Sequence, residues 1–178
     1  AAMLRTPRAG LALALFAPLF PLGNTARGAA LLWGAAALAW LVLSWKRPRE
    51  GLTFAFGPAL AFVGLLPLLP LAALLVRTPT RRAVHVLAGV GSAALLAGLA
   101  GDELPLAGAH VPSLGITGAD RITDVLNALV TVGVANDSLV AGALVLALTA
   151  VLLPAARDRG LVVVIAVCAG QVALVAGA

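Results

Sequence analysis

Six side chains of the kind that hold divalent cations or move protons, Asp102, Glu103, His110, Asp120, Asp124 and Asp137, fall close together in a chain of 178 residues. Carboxylates and imidazoles are common metal ligands and common general acids and bases. Their spacing forms neither an HExxH helix, which would put two histidines on one face, nor an EF-hand loop. A solvated connection with helix caps accounts for all six. His110, between Ala109 and Val111 and followed by Pro112, reads as a loop residue.

Other chemistry is equally sparse. The sequence has no Gly-x-Ser-x-Gly elbow, no phosphate-binding P-loop and no paired-aspartate motif of the phosphatidyltransferase kind. Gly91-Ser92 puts a serine among small residues, as an intramembrane serine protease would. Such an enzyme needs a histidine on another helix at the same depth, and the two histidines are His85, seven residues before that serine, and His110. The single cysteine, Cys168, allows no internal disulfide and no thiolate metal site. No catalytic, cofactor-binding or metal-binding residue is therefore assigned, no cofactor is expected, and the sequence favours a non-enzyme.

The elements that would position any site are membrane spans. Hydrophobic residues make up 62% of the chain and charged ones 11%, with mean hydropathy +1.08, whereas a soluble domain carries about 25% charge. The apolar residues form long uncharged runs, and a helix needs about 20 of them to cross a bilayer. The fold class read from this is all-α, a polytopic helical membrane bundle. Its segments are 9–23, 28–45, 51–76, 83–100, 139–156 and 161–178, with an amphipathic helix over 122–135 on the outer surface. In that helix Ile122, Val125, Leu126, Leu129 and Val130 recur at helical spacing, and Asp120 is a fitting N-cap.

Segment 51–76 is the irregular one, interrupted by Pro58, Pro67 and Pro70 with Gly64 near its middle. It reads either as one bent span or as a re-entrant hairpin of two half-helices turning near Gly64. Charge decides between them, because cytoplasmic loops collect Arg and Lys. If all six segments cross, the twelve basic residues divide six against six. If 51–76 returns to its starting side, they divide ten against two, with only Arg27 and Arg121 outside. The expected topology is thus five spans, a re-entrant third segment and a cytoplasmic N-terminus in a plasma membrane.

Broken helices build transporter sites, so Gly57, Pro58, Gly64, Pro67 and Pro70 are the candidate positions for solute contact or for packing. Gln171 joins them as the deepest polar side chain, an amide that needs a partner in hydrocarbon. Within 83–100, Gly89, Gly91, Ala94 and Gly98 permit close helix approach.

The net charge of +5 sits in short clusters between apolar runs, which excludes the extended basic face of a nucleic-acid-binding protein. The bias to Ala, Gly, Leu and Val, with eleven Arg to one Lys, points to a GC-rich bacterial genome. The chain opens at Ala1 ahead of its only methionine, Met3, and stops at Ala178 in an apolar stretch, as a piece of a longer protein would. The expected function is a non-catalytic membrane-spanning module of a larger bacterial protein or complex. Its partners would be the lipid bilayer and other membrane subunits or attached soluble domains. The competing reading is a small-solute permease or channel component that uses the broken segment 51–76.

Overall fold

Leucines, valines, three large aromatics and a set of alanines fill the interior, while many further large apolar side chains face outward. In the computed structural model, which describes residues 7–100, 104–106, 109–111, 115–116, 118–135, 137–160, 162–167 and 169–170, the chain is helical apart from one short hairpin. The segment 9–23 becomes two helices, α1 (Pro7–Phe16) and α2 (Leu19–Thr25), separated where Pro18 removes a backbone donor. An extended Ala26 then leads into α3 (Arg27–Ser44). A short α4 (Pro48–Gly51) precedes α5 (Thr53–Phe62).

The third segment folds back on itself. Helix α5 ends in a Schellman motif: Gly64 N–H donates to Ala61 O at 3.0 Å and Leu65 N–H to Leu60 O at 2.7 Å, with Gly64 at φ +71°. A glycine there is favoured because an L side chain is strained in the left-handed region. The return arm is two 3-10 turns, Leu66–Leu68 and Ala73–Leu75, around α6 (Leu69–Ala72). It brings residues 73–75 back beside α4. The two flanks of the segment then meet, with Arg81 Nη1 3.8 Å from Glu50 Oε2. At ten residues, α5 is about 15 Å long, half of a hydrocarbon core of about 30 Å.

Helix α7 (Pro79–Ala100) runs alongside α5 in the same direction, pairing His85 with Thr53 and Gly89 with Gly57. The polar connection 101–121 contains an antiparallel hairpin, β1 (Leu104–Leu106) with β2 (Ala109–Val111), in which Pro105 pairs with His110. Its three-residue strands are too short for an alternating pattern to stand out. Helices α8 (Ile122–Ala135) and α9 (Asp137–Asp158) match the expected 122–135 and 139–156 to within two residues at each end. Arg121, not Asp120, takes the N-cap position of α8, its carbonyl accepting from Val125 N–H.

Two packed clusters hold the bundle. One joins α1, α2, α3 and α8 through Leu11, Leu15, Trp33, Ala37 and Val125; the other joins the return arm, α7 and α9 through Leu66, Leu69, Val86, Val90 and Leu146. On α8 the expected stripe divides: Val125 is buried and Leu129 half-buried, while Ile122, Leu126 and Val130 are exposed. Trp33 Nε1 donates to Leu15 O at 2.7 Å, and Trp40 Nε1 to Gly51 O at 2.9 Å. Leu15 lies in the last turn of α1, where carbonyls lose their helical partners, so the indole satisfies an acceptor that the break leaves over.

Among the described residues, Arg27–Ser44 and Leu139–Ala156 are long and apolar enough to cross a membrane; Leu66–Leu75 and Ile122–Ala135 are shorter apolar stretches. The outer faces of the two long helices are large and aliphatic: Leu31, Leu38, Val42 and Leu43 on α3, and Val140, Leu144, Leu148 and Leu152 on α9. Their inner faces mix small and large side chains, Ala29, Trp33, Ala37 and Trp40 on α3 and Leu146, Ala147, Ala150 and Leu153 on α9.

Candidate functional site

The polar side chains that the fold gathers are those flanking the third segment. The end of α3 supplies Trp40 and Ser44, the turn and α4 supply Lys46, Arg47 and Glu50, and α7 supplies Thr80, Arg81 and His85. They line a pocket of about 320 Å³ whose remaining wall is Leu43 and Val84. Glu50 is buried, and it spreads its two oxygens between guanidiniums: Oε1 lies 3.4 Å from Arg47 Nη1 and Oε2 3.8 Å from Arg81 Nη1. A carboxylate with so little access to water requires such partners.

Behind this charge cluster lies a buried hydrogen-bond chain. Thr53 Oγ1 donates to Glu50 O at 3.0 Å and lies 2.6 Å from His85 Nδ1. The threonine has one proton, and the carbonyl cannot donate. That network assigns a proton to His85 Nδ1, which donates to Thr53 Oγ1. The His85 ring meets Trp40 edge-on at 4.7 Å, and Trp40 in turn packs on Phe54 at 5.3 Å between centroids. Thr53 is fully buried, so its hydroxyl cannot reach a substrate, and the pair positions α5 against α7. Thr53→Val keeps the shape but orphans a buried imidazole donor, which costs about 1–3 kcal/mol. A lowered midpoint in detergent thermal unfolding, partly restored in Thr53→Ser, checks it.

Ser92 is tied down as well, its one hydroxyl proton shared between Phe54 O and Gly89 O, each 2.8 Å from Oγ. It is buried and two helical turns from His85 on the same helix, so the two make no nucleophile and base pair. Thr149 Oγ1 donates to Val145 O at 2.8 Å within α9.

The positions singled out in the sequence have mainly structural places. Gly57 lies against α7 so closely that an added Cβ would fall on the Gly89 carbonyl. Pro58 is inside α5, Gly64 makes the turn, Pro67 opens the return arm, and Pro70 is buried at the start of α6. None of them lines the pocket. Gln171 lies outside the described residues, as do Asp102, Glu103 and the His110 side chain. Asp120, Asp124 and Asp137 are exposed. Among the described residues, no group of three or more His, Cys, Asp or Glu is placed to hold a metal ion.

The pocket is hidden in the sequence because Lys46 to Glu50 and Arg77 to Arg82 are connections on opposite sides of 51–76 and His85 falls in the following segment, 83–100. Both His85 and Glu50 are buried. A usable signal was present. A hairpin that returns 51–76 to its starting side must bring those two flanks together. Comparison with known protein families, with curated proteins and with solved structures finds no match to this chain.

Proposed function

We propose that this chain is a non-catalytic membrane module of a larger bacterial protein or complex, with five spans, a re-entrant third segment and a cytoplasmic N-terminus. The observation that carries the reading is the row of large aliphatic side chains left exposed along α3 and α9, the two helices long and apolar enough to cross a membrane. In water such faces would be broad exposed apolar patches, which soluble monomers avoid. In lipid they are solvated, and small residues at the contacts let helices approach.

The sorting of charge supports the orientation. Arg8 stacks over Trp45 at 5.2 Å, at the end of the bundle that also holds Lys46, Arg47 and Arg81. Arg27 opens α3 at the other end, where the Gly28 backbone touches Arg121. This is the division that the positive-inside rule requires of a cytoplasmic and an outer face.

The permease or channel reading draws on the half-helix α5, which ends inside the bundle as transporter half-helices do. The tight contact of Gly57 with Gly89 weighs against it, because it closes the face of α5 that a solute would need. The membrane reading itself is checked by washing membranes at alkaline pH. The protein stays in the pellet and needs detergent for release; recovery in the supernatant without detergent would overturn the proposal.

A further inference from the structure

We propose that the pocket beneath the re-entrant segment binds the phosphate group of an anionic phospholipid. Three cationic side chains, Lys46, Arg47 and Arg81, face one carboxylate, Glu50, so the lining keeps a surplus of two positive charges. Glu50 holds the two guanidiniums side by side without saturating them. Each spends a single long contact on it, at 3.4 and 3.8 Å, and about half of each arginine side chain remains exposed. A guanidinium has five donors in a planar fork suited to phosphate oxygens. Lys46 adds a point charge without an ion pair of its own among the described residues, and Ser44 and Thr80 add hydroxyls. The carboxylate is buried behind the arginines at 11% side-chain exposure, so an entering anion meets cations first.

The apolar part of the lining selects the source of the phosphate. Leu43 and Val84, 78% and 50% exposed, flank the pocket and continue into the apolar outer surface of α3 and α7. A free phosphate has no use for that wall, whereas a lipid lays its glycerol and upper acyl carbons on it. Basic pockets between spans at the cytoplasmic interface are suited to anionic headgroups. This inference rests on the membrane reading above. That reading falls if the protein leaves alkaline-washed membranes, whereas a failure of lipid selectivity in protein extracted with detergent removes this inference alone.

The test uses the chain in dodecyl maltoside, titrated with dihexanoyl phosphatidylglycerol, dihexanoyl phosphatidylcholine or sodium phosphate, with dissociation constants taken from the shift in thermal midpoint. Phosphatidylglycerol is expected to bind at least tenfold more tightly than either other probe. Lys46→Gln combined with Arg81→Gln loses at least tenfold, with Arg47 left to pair Glu50. Arg77→Gln removes a charge outside the pocket and loses less than twofold. Lys46→Gln alone, which breaks no ion pair, loses about threefold and serves if the double variant does not fold. Equal binding of the two lipids, phosphate binding as tightly as phosphatidylglycerol, or equal losses in the double variant and Arg77→Gln would each overturn the proposal.

Discussion

Gly57→Ala loses about 3 kcal/mol or more of stability and in practice yields little folded protein after detergent extraction. Overpacking of a filled contact costs about 1–3 kcal/mol where side chains can move aside. Here the obstacle is backbone: the new methyl would overlap the Gly89 carbonyl and lie within 2.8 Å of the Gly89 Cα, and α7 cannot yield locally. Relief requires α5 and α7 to part. That would pull Thr53 from His85 and the Phe54 carbonyl from Ser92. Gly91→Ala, on the same helix as Gly89, is the control. Its Cβ meets nothing within 4 Å, and replacing an exposed helical glycine gains up to about 1 kcal/mol. Substitutions of opposite sign two residues apart in register are a sharp test of the α5 and α7 contact. A Gly57→Ala protein with a wild-type thermal midpoint would show that this contact is wrong.

Trp33→Ala has the next largest effect, a loss of about 3–5 kcal/mol, the range for deleting a large buried aromatic side chain. Trp33 is 1% exposed, packs on Phe54 at 5.3 Å and supplies the donor that satisfies Leu15 O. Removing it leaves a void at the junction of α1, α3 and α5 as well as an unpaired acceptor in the last turn of α1. Trp33→Phe separates the two contributions. It retains most of the packing and leaves Leu15 O without its donor, for a loss of about 1–3 kcal/mol. Thermal unfolding of both variants in one detergent gives the split. Equal losses would mean that the hydrogen bond, not the packing, dominates.

Much of the architecture was legible because hydropathy and punctuation agree with it. The runs over 28–45 and 139–156 are bounded by Arg27, by Trp45 with its basic cluster and by Asp137, and the helices start and stop there. Gly64 between prolines marked the turn of the third segment, since only a residue free to adopt positive φ closes a helix in that way. The break of 9–23 is explained by Pro18, whose missing donor interrupts the ladder between α1 and α2.

The pocket was not legible, for a physical reason. Its residues come from two separated stretches, Trp40 to Glu50 and Thr80 to His85, and neither forms a spacing pattern of its own. Lys46 to Glu50 looks like an ordinary interfacial cluster until Arg81 and His85 arrive from the far end of the hairpin. Nor could periodicity show which side of α8 faces inward. Ile122, Val125, Leu126, Leu129 and Val130 share one broad face, and Ala128, Val132 and Val134 widen it on both sides, so the spacing does not fix which edge packs inward. The close approach of Gly57 to the Gly89 carbonyl depends on how α5 and α7 pair, which spacing within either segment does not reveal.

The fold-back of 51–76 brings Glu50 to Arg81 and builds the pocket, and on the proposed topology it would place ten of twelve basic residues on one face. Single-cysteine labelling in intact cells measures it directly. In a Cys168→Ala background, Arg49→Cys and Thr78→Cys flank the segment, and Arg27→Cys reports the opposite face. A membrane-impermeant maleimide added outside is expected to label Arg27→Cys only, with Arg49→Cys and Thr78→Cys reacting once the cytoplasmic face is opened. Labelling of Arg49→Cys and Thr78→Cys from opposite sides would make the segment a simple span and contradict the account.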